Sequence, residues 1–338
     1  MTVRTVGVEE EFLLVDPESG SPQAVAHLAI ARDGADGDRL TGELQREQVE
    51  TATRPCLRLD EVGVELRRAR ATAARAATSA GSALAALGTS PLPVDPTLST
   101  SDRYQRIARR FGLTAAEELT CGCHVHVGVE SDEEAVGALD RLRPWLAPLL
   151  ALTANSPFWQ GDDSGYASYR SQVWSRWPSA GPYAPFGSPA AYHGTLAAMV
   201  ASDTVLDRGM VYFDARLSVQ HPTLEVRVSD VCLDVDDAVL LAALVRALVE
   251  TAAQEWRAGR SGVDGMLLDP GSWCPAPAGD VLGRLVAHVT PALEEAGDLA
   301  RVRELLADVL SRGTGARAQR AAGDPRAAVA MAVRRTSP

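Results

Sequence analysis

Three segments of this chain alternate apolar residues with ionisable or polar residues at every second position, and this alternation most restricts the fold. The polar residues are Glu9 and Glu11 in residues 6–15, His124 and His126 in residues 123–129, and Thr223, Glu225, Arg227 and Ser229 in residues 223–230. Successive side chains of a β-strand point to opposite faces of its sheet. Each segment therefore predicts a strand with one apolar face and one polar face. If the three strands share one sheet, their polar faces converge on one cavity, although a polar face is also typical of a strand that simply faces water.

The predicted helices lie between and after these strands. Asp60 is a plausible N-cap for a helix that runs to about Leu87 and ends at Gly88. Ser131 and Glu134 form a capping box, and the helix that they start is interrupted near Pro144. Further helices are predicted after Asp234 or Asp236 and, joined near Gly297, in residues 279–311. Because strands and helices do not strictly alternate, we predict an α+β fold with an antiparallel sheet.

No internal repeat or long linker divides the chain, so we expect one catalytic domain over residues 1–338. Residues 160–190 are rich in Trp, Tyr, Ser, Pro and Gly, a composition typical of a long binding loop. Hydrophobic residues make up 46% of the chain, which permits a sizeable core.

The charge and the cysteines restrict the partners and the compartment. The formal net charge of −11 argues against nucleic acid or an anionic membrane as the main partner, since both require a basic surface. It does not exclude a nucleotide, because divalent cations can hold a polyphosphate against carboxylates. An odd number of scattered cysteines does not indicate a disulfide framework; they are Cys56, Cys121, Cys123, Cys232 and Cys274. With acidic residues near the N-terminus and no apolar run long enough to cross a bilayer, we expect a cytoplasmic protein.

The polar faces have the residue types of a divalent-cation site. Mg²⁺ and Mn²⁺ prefer oxygen ligands, and a mixed carboxylate and imidazole site suits Mn²⁺. Cys121 and Cys123 raise the alternative of a zinc site with His124 and His126. Cys123 points to the opposite face from both histidines, so four shared ligands would be strained.

Eight motifs in order give the chain a resemblance to a known family. They are VGVEEEFLLVDP at 6–17, VETAT at 49–53, CGCHVHVG at 121–128, LTANSPFWQG at 152–161, GYASYR at 165–170, FDAR at 213–216, TLEVR at 223–227 and GARAQR at 315–320. The chain resembles the glutamate–cysteine ligase type 2 (carboxylate–amine ligase) family, which is related in fold to glutamine synthetase. The resemblance covers nearly the whole chain and implies a curved antiparallel sheet that forms a cavity, with helices packed outside.

The resemblance also implies roles for individual residues. Metal ligands would be Glu9, Glu11, Glu50, His124 and Glu225. His126 would lie near the ATP phosphates or a metal. Arg170, Arg216 and Arg227 would bind phosphate or the carboxylate substrate, with Arg227 the first choice for stabilising the transferred phosphoryl group. As an alternative, Arg170 is a loop arginine that pairs with Asp162 or Asp163.

The implied activity is ATP- and Mg²⁺-dependent joining of a carboxylate to an amine through an acyl phosphate, by default glutamate to cysteine, with Mn²⁺ as a possible substitute. Small-molecule substrates and a possible homodimer are the expected partners. The chain departs from the family at Ser90, where the family usually has His, and at residues 218–222, which replace a more usual Gly-containing turn. Three alternatives stay open: the same mechanism on another amino acid or amine, a metal–nucleotide binding protein without catalysis, and a zinc hydrolase.

Overall fold

The computed structural model describes residues 3–32, 40–260 and 277–336; Cys274 lies outside these ranges. Its strands are β1 (Val6–Val15), β2 (Thr41–Gly42), β3 (Gln48–Ala52), β4 (Ala83–Ala85), β5 (Gly122–Gly128), β6 (Phe158–Trp159), β7 (Asp162–Asp163), β8 (Ala215–Leu217) and β9 (Thr223–Asp230). Its α-helices are α1 (Ala26–Arg32), α2 (Leu59–Ser79), α3 (Asp102–Phe111), α4 (Leu113–Glu117), α5 (Asp132–Leu142), α6 (Leu146–Thr153), α7 (Arg170–Trp174), α8 (Pro189–Ala201), α9 (Val235–Arg257), α10 (Ala278–Ala296), α11 (Leu299–Arg312), α12 (Gly315–Ala321) and α13 (Pro325–Thr336).

Seven of the strands form one antiparallel sheet, which confirms the predicted α+β class. The order is β2-β3-β1-β5-β9-β8, and β4 pairs with the end of β1. The three polar segments are therefore adjacent strands, and β5 lies between β1 and β9. Glu9 pairs with His124, and His126 pairs with Glu225.

The apolar face of the sheet is covered by helices. The long helix α9 packs against α5, α10, α11 and α2, and most of its residues are buried. Val8, Val125 and Val226 contribute to the core beneath it. Within the described ranges, no helix has the length and apolarity needed to cross a membrane.

The helix predictions hold for three regions and fail for one. Ser131 caps α5 by accepting a hydrogen bond from the Glu134 amide at 3.2 Å. The other half of the predicted capping box does not form, because the Glu134 carboxylate accepts from the Glu130 amide. A 3₁₀ turn at Pro144 separates α5 from α6, and Gly297 in the left-handed region (φ 75°) separates α10 from α11. The helix predicted from Asp60 to about Leu87 is wrong at both ends. Its N-cap is Arg58 rather than Asp60, which lies in the first turn, and its C-terminal end comes earlier than predicted. It stops at Ser79, since Gly81 (φ 79°) turns the chain and residues 83–85 pair with β1 instead.

One register shift changes which residues share a face of β9. β9 shifts against β5 between Cys123 and Val125, so that Ser229 pairs with Cys123 while Glu225 pairs with His126. Because Cys123 belongs to the core cluster, the shift moves Ser229 to the helix-covered side. The prediction that Ser229 shares a face with Glu225 and Arg227 is therefore wrong, and a β-bulge is the physical reason.

The central strand β1 is tied to the helix layer by a buried ion pair. Arg70 of α2 donates to both carboxylate oxygens of Glu10, at 2.6 and 2.9 Å, and both side chains are almost fully buried. The same guanidinium donates to the carbonyls of Cys232 and Leu233, directly after β9. Arg70 thereby links β1, α2 and the end of β9, and it does so behind the polar face.

We predict that Arg70→Ala lowers the free energy of unfolding by about 3–5 kcal/mol, because it leaves Glu10 buried without its partner. Urea denaturation followed by far-UV circular dichroism measures the change. Arg75→Ala on the exposed side of α2 is the matched control and should stay within about 0.5 kcal/mol of wild type. Equal stability of the two variants would contradict the anchoring role.

Candidate active site

A cavity of about 760 Å³ lies over the polar face of the sheet. Strands β1, β3, β5 and β9 form its floor, and α3, α7 and residues 207–212 contribute to the opposite wall. The predicted residues that line it are Glu9, Glu11, Glu50, His124, His126, Arg216, Glu225 and Arg227. The structure thus brings together all of the predicted site residues except Arg170.

The acidic and imidazole groups form two overlapping clusters around His124. One ligand atom each from Glu9, His124 and Glu225 lies within 4.8 Å of the others, and the same holds for Glu11, Glu50 and His124. His124 Nδ1 is 3.5 Å from Glu9 Oε2, and its Nε2 is 3.9 Å from Glu11 Oε1. These separations are too long for most hydrogen bonds but leave room for a cation between the groups.

The donor set fits divalent cations such as Mg²⁺ and Mn²⁺. His124 Nε2 is buried and has no hydrogen-bond partner within the described part of the chain. Burial and the neighbouring carboxylates Glu11 and Glu118 raise the pKa of Glu43 to about 8. Burial together with the carboxylates of Glu43 and Glu9 also raises the pKa of Glu50 well above its ordinary value. Bound cations would offset this mutual repulsion, and Glu9, Glu11, Glu50, His124 and Glu225 could hold them.

Two arginines complete the β9 side of the cavity. Arg216 donates to Glu225 at 2.8 and 3.2 Å, and Arg227 also donates to Glu225. Burial opposes ionisation of Glu225, but Arg227 and Arg216 outweigh it and hold the pKa of that carboxyl below its ordinary value. The arrangement keeps a carboxylate and two guanidinium groups ionised together at the cavity floor.

His126 is fixed between two strands. Its Nδ1 lies 3.0 Å from the Thr223 hydroxyl, and its Nε2 lies 3.3 Å from Glu9 Oε2. The imidazole is therefore oriented toward the carboxylate cluster rather than toward solvent.

Arg170 is buried beside the cavity, on the same face of β5 as His124, and is not among the described residues that line the cavity. Its side chain is 2% exposed, and a Cβ atom at Gly122 would be 2.4 Å from its Nη2. Its nearest carboxylate is Asp230, at 4.0 Å. The alternative pairing with Asp162 or Asp163 is wrong, because both carboxylates are exposed whereas Arg170 is buried beside Asp230, and Asp163 accepts hydrogen bonds from Arg320. Gly122 is thus required where the guanidinium approaches β5.

A buried network joins Asp230 to the segment that carries Arg170. Asp230 accepts hydrogen bonds from the Asn155 amide and from the hydroxyls of Ser156 and Ser168, at 2.7–2.8 Å. Ser156 Oγ in turn accepts from the Arg170 amide at 3.0 Å. The motif at 152–161 therefore ends α6 and fixes the backbone of Arg170 through Ser156.

Three carboxylates that line the cavity, Glu43, Glu118 and Asp207, were not predicted from the sequence. Asp207 lies on the cavity wall, where it accepts two hydrogen bonds from Arg103. Glu43 lies seven residues before Glu50 across the β2–β3 turn, and Glu118 lies shortly before β5; both line the cavity. Glu43 had one available signal, since the turn places it beside a strand that already carries a predicted ligand. Glu118 lies outside any alternating strand, so the pattern contained no signal for it.

The zinc alternative receives no support from the geometry. Both clusters found among the described residues consist of carboxylates and His124, without a cysteine. Cys123 belongs to the core on the helix side, and the buried Cys121 is approached by the Gln48 amide.

A second cavity of about 770 Å³ adjoins the first at the end of the sheet where β1 and β9 begin and β5 ends. Its lining includes Val8, Pro55, Val129 and Pro222, together with the ion-paired Arg4 and Glu250. The two cavities meet at the carboxylate cluster, because Glu9 and His126 line both.

Comparisons with known proteins agree with this architecture. The sequence profile of Glutamate-cysteine ligase family 2 matches residues 5–324. Relatives from Streptomyces avermitilis and Streptomyces coelicolor, which carry glutamate–cysteine ligase 2 as a provisional name, are 52% and 50% identical. The alignments cover 94% of each chain in the first case and 99% of each chain in the second.

Solved structures show the same fold at low sequence identity. The glutamate–cysteine ligase of Francisella tularensis in complex with AMP superposes with a TM-score of 0.67 at 14% identity, over 100% of this chain and 89% of that chain. A bifunctional glutathione synthetase from Pasteurella multocida has the same TM-score at 14% identity, over 99% of this chain and 52% of that chain.

We predict that Glu9→Gln and Glu11→Gln each weaken Mn²⁺ binding by about tenfold or more, because each removes one anionic oxygen ligand from the cluster. Isothermal titration of the protein with Mn²⁺ measures the affinity. Glu133→Gln changes an exposed carboxylate in the first turn of α5 and should leave the titration unchanged. Wild-type affinity in both cluster variants would show that no cation is bound there.

Proposed function

The chain belongs to glutamate–cysteine ligase family 2 and is an enzyme of that ligase class, and we propose that it joins a carboxylate to an amine with ATP through an acyl-phosphate intermediate. The observation that carries the proposal is the meeting of Glu9, His124 and Glu225 from three adjacent strands within 4.8 Å, with Arg216 and Arg227 on the same cavity floor.

The two cavities supply separate places for the substrates. The second cavity has apolar walls at Val8, Val129 and Pro222 and is suited to a nucleoside. The triphosphate then extends past His126 toward the two clusters. The first cavity, with Arg216 and Arg227, accepts the carboxylate substrate through charge-assisted hydrogen bonds.

The chemistry follows from this placement. Glu9, Glu11, Glu50, His124 and Glu225 would hold Mg²⁺, which would neutralise charge along the phosphates when bound. A carboxylate oxygen attacks the γ-phosphorus, a P–O bond to the substrate forms, and the P–O bond to ADP breaks. Arg227, oriented by Glu225, stabilises the charge on the transferred group. The amine nitrogen then attacks the acyl carbon, loses a proton and displaces inorganic phosphate.

The default substrate pair is glutamate and cysteine. The support is the family itself and the name of the Francisella tularensis structural neighbour. The loop at 160–190 contributes Trp174 and Trp177 to the cavity wall, so it can influence substrate choice. Ser90 is buried and donates to the Leu92 carbonyl at 2.7 Å; it lies outside the set of described residues that line the cavity.

Three expectations from the sequence stay predictions. Residues 1–338 are proposed to act as one catalytic domain, since the sheet takes its strands from residues 6–230 and α13 extends to residue 336. A homodimer and a cytoplasmic location are the other two. Light scattering on the purified full chain would measure its molar mass in solution and so test the homodimer.

We predict that ADP release with Mg²⁺ depends on both a carboxylate and an amine, with glutamate and cysteine as the first pair of a wider panel. A coupled assay for ADP, with mass analysis of the product, measures this dependence. ADP release that ignores the amine would favour a kinase or a hydrolase. Failure to bind any nucleotide would remove the ligase proposal for this chain.

We further predict that Arg227→Lys lowers kcat by about 10²-fold or more, with a smaller change in the KM for ATP. The guanidinium holds Glu225 and faces the transferred phosphoryl group, and an ammonium cannot reproduce both contacts. Steady-state kinetics separate kcat from KM. Arg208→Lys, on the rim of the same cavity, is the control, and an equal effect there would reject the assignment of Arg227.

A further inference from the structure

The turn between β8 and β9 lies at the junction of the two cavities. Three described residues line both of them: Glu9, His126 and His221. The proposed function uses the first two, as a cation ligand and as a neighbour of the ATP phosphates. His221 also lines both cavities, but the proposed function gives it no role.

The His221 ring is placed beside His126 and is free to bind. The two ring centroids are 6.2 Å apart and the rings meet edge to face, with an interplanar angle of 83°. His221 is exposed, and no hydrogen bond to its ring is found in the described ranges. An exposed imidazole at a cavity junction can donate to an anion that passes there.

The turn itself is fixed by local hydrogen bonds. Ser218 Oγ accepts from the amides of Gln220 and His221, both at 3.4 Å, and the Thr223 amide donates to the His221 carbonyl at 2.8 Å. Thr223 also contacts His126. The backbone of His221 is therefore tied to the residue that orients His126, which keeps both imidazoles at the same junction.

We propose that His221 binds the γ-phosphoryl group of ATP as that group passes from the nucleoside cavity to the carboxylate substrate. The proposal rests on the proposed function, because it assigns the γ-phosphate to the junction. It names a residue of the 218–222 turn as a catalytic contact, although that turn carries none of the cation ligands. A γ-phosphate contact has a specific consequence: it distinguishes ATP from ADP.

The test compares the binding of two nucleotides in the presence of Mg²⁺. Isothermal titration with AMP-PNP, an ATP analogue that is not hydrolysed, and with ADP is carried out on wild type, His221→Ala and His221→Gln. We expect His221→Ala to weaken AMP-PNP binding by about tenfold, the usual effect of one hydrogen bond to a charged group, with the ADP affinity unchanged. His221→Gln, which keeps an N–H donor, should recover part of the loss.

Matched controls come from the same turn. Val219→Ala and Gln220→Ala change exposed residues next to His221 that line the first cavity and not the second. Both variants should keep the wild-type ratio of AMP-PNP affinity to ADP affinity. An equal loss for the two nucleotides in His221→Ala, or no loss, overturns the assignment of His221 and leaves the ligase proposal standing. If wild type binds neither nucleotide, both proposals fall. If the AMP-PNP effect appears but no carboxylate and amine pair supports turnover, the ligase proposal falls alone.

Discussion

The antiparallel register of β1, β5 and β9 is the constraint on which the site depends. Glu9 lies opposite His124, and His126 lies opposite Glu225, so each imidazole has a carboxylate beside it on the same face. A shift of one residue in either pairing would turn these groups into the core and bring valines into the cavity. On the other face, Arg70 of α2 binds Glu10 of β1 and the carbonyls of Cys232 and Leu233, so that β1 and the end of β9 are fixed to the same helix.

The crowded carboxylates of the cavity have pKa values that are shifted in opposite directions. Burial and mutual repulsion raise the pKa values of Glu43 and Glu50, whereas Arg216 and Arg227 lower that of Glu225. Such opposed shifts within one cavity are typical of functional sites, because the fold alone gains nothing from them. Bound cations would supply the missing positive charge, and this is why we assign the two carboxylate clusters to the cations that hold the triphosphate of the nucleotide.

In the proposed reaction, the nucleotide and the carboxylate substrate reach the junction from different cavities. One has apolar walls that suit a nucleoside, the other holds arginines and aromatic rings, and they meet only at Glu9, His126 and His221 among the described residues. A phosphoryl group that moves between bound nucleotide and bound carboxylate must cross this junction. In our proposal the β8–β9 turn takes part in the phosphoryl transfer through His221, although its sequence marks it only as a departure from the family.

The sequence by itself determined the strands and the faces on which Glu9, Glu11, His124, His126, Glu225 and Arg227 lie, because period-two alternation is a local property of the backbone. It also determined the cap of α5 at Ser131 and the break at Gly297, which depend on nearby hydrogen bonds and on φ. It could not determine the strand order, the bulge that turns Ser229 away, or the end of α2 at Ser79. Each of these is decided by pairing with a strand distant in sequence. The burial of Arg170 against Gly122 and the presence of Glu118 in the cavity were likewise decided only by tertiary packing, since no local pattern encodes which distant side chains share one enclosed space.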